Sequence, residues 1–212
     1  MPQIVKEHFK ARPGYANYYF NRLNRDRVWE AWTAQADLAP LGGSWSIAGQ
    51  LERARTFRLQ LDESEASLVL PAGESKWVAA GELGTSLDPP GSGGLLLALH
   101  LWRRLAVEGP EKFGEVYYLG TVPSPDRRRL LDVLVGLHGG VECRFLFDPD
   151  DGRLLVLEMF PEEDVDPCEI HFTKFERSEG RLLPARIEAC FAGEVYAVFN
   201  IDDFTFARTT KN

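Results

Sequence analysis

The feature that most constrains this chain is the alternation of apolar and polar residues through its second half. Val141, Cys143 and Phe145 alternate with Glu142 and Arg144, and similar patterns recur at 185–191 and 195–201. A period of two places successive apolar side chains on one face of a strand. One-sided strands joined by short connections predict a large antiparallel sheet that buries a single face.

Seven strands are predicted after residue 115, near 116–120, 130–137, 141–147, 154–160, 169–175, 185–191 and 195–206. Turn sequences at 150–152, 179–180 and 192–193 separate several of them at hairpin spacing. Before residue 81 the alternation of Phe57, Leu59 and Leu61 predicts a meander of about four further strands, with polar turns at 62–65 and 72–75. The sheet should therefore contain about 11 strands.

Two helical segments are predicted to cover this sheet. Residues 15–39 contain no Gly or Pro, and two apolar stripes change phase across 24–26, which predicts a kink or a second helix starting near Asp26. Residues 95–107 predict a helix with Ser92 as its cap, ended by Gly109 and Pro110. The expected fold class is α+β, mainly β: one domain over 1–212, with a large curved antiparallel sheet, a half-open β-barrel, and helices across its concave face.

Charge and hydropathy restrict the partners that this chain can bind. A net charge of −8, from 24 Lys and Arg against 32 Asp and Glu, disfavours nucleic acid and anionic membranes despite the basic run 127–129. The first residues lack the apolar region of a signal peptide, and no stretch is long enough to span a bilayer. The chain is therefore either cytoplasmic or a piece of a longer exported protein.

Motifs that would carry catalysis or bind a metal are weak. The run 91–94 around Ser92 resembles a serine-protease motif without its Asp, and a helix start explains the same residues. Cys168 and His171 lie three apart on a predicted strand and so face opposite sides, which argues against zinc. We predict no metal, no cofactor and no catalytic residue, and we expect Cys143, Cys168 and Cys190 to be unpaired.

The hairpins of the C-terminal half resemble the LolA/LolB-like family of lipoprotein carriers and outer-membrane lipoprotein-sorting proteins. The likeness rests on the segments 140–149, 152–154, 172–175 and 180–187. The segments 15–21 and 89–99 also resemble domains appended to exported trypsin-like or PDZ-containing serine proteases of planctomycete type. The first resemblance implies a half-barrel whose concave apolar face holds acyl chains, and both imply an extracytoplasmic location.

Together these features predict a non-enzymatic module that binds a lipid, an acyl chain or a hydrophobic peptide in the concave face. The expected ligand-binding residues are the apolar side chains that should face this space: Phe20, Leu23, Phe57, Leu59, Leu61, Leu99, Trp102, Val141, Phe145 and Phe147. Two alternatives stay open, namely an accessory or structural domain of a serine protease with a filled core, and a hydrolase that uses Ser92.

Overall fold

The described part of the chain contains eleven strands and three helices. The computed structural model describes residues 18–36, 43–51, 55–78, 87–124, 128–162, 164–178 and 181–207. The elements are α1 (Tyr18–Ala36), β1 (Trp45–Leu51), β2 (Arg55–Leu61), β3 (Glu65–Leu70), β4 (Gly73–Val78), α2 (Leu95–Glu108), α3 (Pro110–Phe113), β5 (Glu115–Pro123), β6 (Leu130–His138), β7 (Val141–Phe147), β8 (Leu154–Phe160), β9 (Cys168–Ser178), β10 (Arg181–Phe191) and β11 (Glu194–Phe206).

All eleven strands belong to one open antiparallel sheet, with the order β4-β3-β2-β1-β11-β10-β9-β8-β7-β6-β5. The first meander joins the second through β1 and β11, where Trp45 pairs with Phe206. The edge strands β4 and β5 do not pair with each other in the described chain. The predicted fold class, a large antiparallel sheet of about eleven strands with covering helices, is confirmed.

The alternation of buried and exposed side chains arises because helix α2 covers one face of the sheet. In α2 every residue from Leu95 to Arg103 is buried, and the helix contacts β2, β3, β4, β8 and β9. Phe57, Leu59 and Leu61 of β2 are buried, whereas the residues between them are exposed. One large core cluster therefore fills the space between the sheet and α2.

The run of apolar residues in β6 departs from strict alternation because both faces of that strand are buried. Leu134 lies in the main core, whereas Leu131, Val133 and Val135 form a second cluster with Leu146 and Val156. Since neighbours along a strand point to opposite faces, this second cluster lies on the outer face of the sheet.

The structure corrects three local expectations. Helix α1 runs without a break through 24–26, and Asp26 does not start a second helix but receives hydrogen bonds from Arg25. Strand β4 begins at Gly73, so the turn that was expected at 72–75 is confined to Pro71 and Ala72. Pro110 does not simply end α2 but opens the short helix α3, because proline fits the first turn of a helix.

Candidate functional site

An apolar cleft opens between α1, α2 and strands β1, β8, β9 and β10. We call it the tryptophan cleft. Its lining consists of Trp32, Trp45, Trp102, Ala106, Leu154, Phe172, Phe175, Leu182, Leu183 and Pro184. Aromatic and aliphatic side chains with no acidic or basic group among them are suited to an apolar ligand.

Aromatic contacts tie the elements around this cleft together. The rings of Trp45 and Trp102 meet edge to face with centroids 5.2 Å apart, and Trp102 packs on Phe172 at 4.8 Å. Trp32 of α1 reaches Phe147 at 5.4 Å. The indole nitrogen of Trp45 is buried and has no hydrogen-bond partner among the described residues.

A second gap, which we call the inner gap, lies between α2 and strands β1, β2, β3, β10 and β11. Its lining consists of Ile47, Phe57, Leu59, Leu68, Leu99, Ile187, Phe199 and Ile201. The rings of Phe57 and Phe199 meet edge to face across it, with centroids 4.9 Å apart. Both apolar spaces therefore border helix α2.

Both spaces are nearly closed in this conformation. The tryptophan cleft has about 20 Å³ of free volume and the inner gap about 10 Å³. Such volumes hold roughly one water molecule. An acyl chain can therefore enter only if the lining side chains or the helices move apart.

Helix α1, which forms one wall of the tryptophan cleft, is held by polar contacts in addition to the buried side chains of Val28 and Trp32. The side-chain amide of Asn21 donates to the carbonyl of Tyr118 at 2.7 Å and accepts from the Tyr118 amide at 3.1 Å. Arg27 donates twice, at 3.0 Å, to the carboxylate of Asp132, which also accepts from the Tyr118 hydroxyl at 2.8 Å. These contacts join α1 to the edge strand β5 and to β6.

Two arginines stand beside the aromatic residues of the cleft. The Arg153 guanidinium lies over the ring of Phe175 at 5.1 Å, and Arg181 lies over Phe206 at 5.0 Å. Phe206 in turn packs against Trp45, with ring centroids 5.5 Å apart. The rim of an apolar cleft is therefore cationic at two points.

The structure brings most of the expected ligand-binding residues together. One buried cluster contains Phe57, Leu59, Leu61, Leu99, Trp102, Val141, Phe145 and Phe147. Phe57, Leu59 and Leu99 line the inner gap and Trp102 lines the tryptophan cleft, whereas the other four line neither space. Leu23 on α1 is 47% exposed. Phe20 lies in α1, but its side chain is outside the described part.

Several cleft residues were not among the expected ones. Trp32, Trp45, Phe175 and Pro184 line the tryptophan cleft although their segments are far apart in the sequence. The signal that could have found Trp45 is its place at the head of the alternating run Trp45, Ile47.

The residues considered for catalysis have structural partners. The Ser92 hydroxyl is fully buried, accepts a hydrogen bond from the Leu95 amide at 3.1 Å and donates to the Leu87 carbonyl at 3.5 Å. Ser92 thus bonds the first amide of α2, but Gly94 occupies the N-cap position, so Ser92 is not the cap residue that the sequence predicted. His100 is buried against Trp77 with ring centroids 4.6 Å apart, and burial lowers its pKa to about 4.

The three cysteines are free thiols. Cys143 and Cys168 are buried in the main core. Burial raises the pKa of the Cys168 thiol to about 12 and also raises that of Cys143. Both thiols are therefore uncharged at neutral pH, and as thiols they are weak nucleophiles.

Neither a metal cluster nor a membrane-spanning helix occurs in the described ranges. No group of three or more His, Cys, Asp and Glu side chains there could hold a metal ion. No helix in that part of the chain is long and apolar enough to cross a membrane.

A wider depression of about 550 Å³ lies on β1, β2 and β3. Its lining includes Gln50, Thr56, Arg58 and Asp202, all exposed. Its mixed polar lining distinguishes it from the two apolar spaces.

Comparison with known proteins identifies relatives by fold alone. No family model and no curated protein matches the sequence. The fold is similar to that of a LolA superfamily protein from Nitrosomonas europaea, at 14% identity and a TM-score of 0.52 over 87% of this chain and 94% of that one. It is also similar to a putative outer membrane lipoprotein-sorting protein domain from Vibrio parahaemolyticus, at 12% identity and a TM-score of 0.52, covering 91% and 96%. The expected LolA-like fold is thus confirmed, whereas the resemblance to protease-associated domains stays a prediction.

Proposed function

We propose that this protein is a non-enzymatic binding module of an exported protein that holds an apolar ligand over the concave face of its sheet. The ligand class is a lipid, an acyl chain or a hydrophobic peptide segment. The observation that carries the proposal is the tryptophan cleft, because an apolar opening between two helices and a sheet suits such a ligand. The similar folds of a LolA superfamily protein and of a putative outer membrane lipoprotein-sorting protein domain support it.

Entry of the ligand requires the cleft to widen. The lining residues come from α1, α2 and the sheet. Among the described side chains, α1 contributes Val28 and Trp32 to the main buried core, whereas α2 contributes nine residues between Leu95 and Ala106. Moving α1 therefore exposes less apolar surface than moving α2. We therefore place the ligand between α1 and α2 in the tryptophan cleft, not in the inner gap.

A neutral naphthylamine dye tests this proposal, together with native mass spectrometry of the purified protein. The dye should fluoresce with the native protein, and an apolar molecule should co-purify with it. Ala106→Leu should weaken dye binding at least about fivefold, because Ala106 lines the cleft and extra methyl groups occupy it. Ala34→Leu, on the exposed side of α1, is the matched control and should leave binding unchanged.

A filled structural core gives a different result. If the native protein binds no dye and no apolar molecule co-purifies with it, the proposed binding function is wrong. The chain is then a packed accessory domain. Equal dye binding by the Ala106→Leu and wild-type proteins would move the ligand away from the tryptophan cleft.

A further inference from the structure

Two buried polar atoms at the tryptophan cleft lack a hydrogen-bond partner among the described residues, one in its lining, on Trp45, and one beside it, on Arg153. The Nε atom of Arg153 is buried and has no hydrogen-bond partner among the described residues. Buried polar atoms are nearly always paired, so an unsatisfied donor next to a ligand cleft indicates a missing acceptor. The side chain lies over Phe175, which lines the cleft.

We propose that the tryptophan cleft takes a single-chain amphiphile with an anionic headgroup, namely a long-chain carboxylate. The chain enters among the aromatic rings, and the carboxylate accepts a hydrogen bond from Arg153 at the rim, on the side where Arg181 lies over Phe206. This inference rests on the proposed function and specifies its ligand class.

Arg153 is held in place for this role. Its Nη2 atom donates to the Asp151 carboxylate at 2.5 Å, which fixes the guanidinium but leaves Nε free. The turn that carries it is pressed against α1, because a Cβ at Gly152 would stand 2.5 Å from the carbonyl carbon of Ala31. The ion pair with Asp151, which does not involve α1, thus orients the guanidinium beside Phe175 before a ligand binds.

The overall charge of the protein opposes the binding of an anionic headgroup. With a net charge of −8, the protein repels anions in general. A preference for an anionic over a neutral amphiphile therefore has to come from a local cation. Asp151 offsets part of the charge on Arg153, so the expected preference is moderate.

Displacement of the naphthylamine dye by decanoate, decanamide and decylammonium tests the headgroup. Decanoate should displace the dye with an affinity about tenfold higher than decanamide, because charge-assisted hydrogen bonds are roughly twice as strong as neutral ones. Decylammonium should be the weakest of the three. Arg153→Gln should bring decanoate to the level of decanamide and leave decanamide within about twofold of its wild-type affinity.

Arg144→Gln is the matched control, because Arg144 also lies over an aromatic ring, Phe160 at 4.5 Å, and pairs with Glu142 at 2.9 Å, away from the cleft. This control should change neither affinity. Equal affinities of decanoate and decanamide, or an equal loss in Arg144→Gln, would overturn the anionic headgroup while leaving the binding function intact. Failure of the dye and of all three amphiphiles to bind would overturn the binding function, and this inference with it.

Discussion

Trp45 at the start of β1 and Trp102 in α2 meet edge to face, with an angle of 85° between their ring planes. Trp45 also packs on Phe204 and Phe206 of β11. Through these aromatic contacts, and through that of Trp102 with Phe204, helix α2 is joined to the strand pair β1 and β11, which connects the two halves of the sheet. The wall of the tryptophan cleft is therefore also a structural junction.

Truncation of this junction should be costly. Trp102 is 4% exposed, so Trp102→Ala should lower the free energy of unfolding by about 3–5 kcal/mol. Urea unfolding measures the loss. Leu23→Ala, on the exposed face of α1, serves as the control and should stay within about 0.5 kcal/mol of wild type. A loss below about 1 kcal/mol for Trp102→Ala would show that the ring is loosely packed.

The side chain of Asn21 forms with the edge strand β5 the pair of hydrogen bonds that a neighbouring strand would form. The amide group of Asn21 both donates to and accepts from the backbone of Tyr118. Asn21→Asp keeps the acceptor but turns a carboxylate oxygen toward the Tyr118 carbonyl, so it should destabilise the protein by about 1–3 kcal/mol. It should also increase hydrogen exchange at the Tyr118 amide.

Asn21→Ala separates the effect of losing the two hydrogen bonds from the effect of the added carboxylate charge. It removes both hydrogen bonds without adding a repulsive charge, so its cost should not exceed that of Asn21→Asp at neutral pH. If Asn21→Asp proves as stable as wild type, the side chain does not cap the edge strand in solution.

The turn before β8 should tolerate no side chain at Gly152. This residue has φ +71°, and its added Cβ would overlap the α1 backbone at Ala31. Gly193 in the β10–β11 turn has φ +77° with open space around it, and it is the matched control. Gly193→Ala should cost about 1–2 kcal/mol through the left-handed conformation alone. Gly152→Ala should cost about 1–3 kcal/mol more, because α1 must shift. Equal unfolding midpoints for the two variants would mean that α1 does not rest on this turn.

The sheet could be predicted from sequence because burial of one face leaves a repeating signal. Strands such as β7 and β10 alternate, and the leucine-rich run of α2 marks the helix that seals them. The continuity of α1 was missed because its polar side chains, including Asn21 and Arg25, bond to other elements and so obscure the helical stripe. The shift between the two apolar stripes of α1 therefore reflects the elements that each stretch of the helix contacts, and not a kink.

The tryptophan cleft could be predicted only in small part. Trp32, Trp45, Phe172 and Pro184 are single residues in separate elements. The strands among them come together through the pairings of β1 with β11, β11 with β10 and β10 with β9. A lone aromatic residue carries no sign of which other aromatic residue it meets. The rim arginines were missed for the same reason, since their aromatic partners lie on other strands.

Acid should destabilise the protein partly through His100. Burial lowers the pKa of this side chain to about 4, below the ordinary value of 6.5, and Arg103 and Arg104 add to the lowering. The unfolded chain therefore binds the proton more tightly, so the stability due to neutral His100 is present above pH 6.5 and is lost as the pH falls toward 4. The loss should be about 2–3 kcal/mol, at 1.36 kcal/mol per unit of pKa. His100→Phe retains an aromatic ring against Trp77 and cannot titrate. Its unfolding free energy should fall less steeply than that of wild type between pH 6.5 and 4. Parallel pH profiles for the two proteins would show that His100 is hydrated or paired in the folded state.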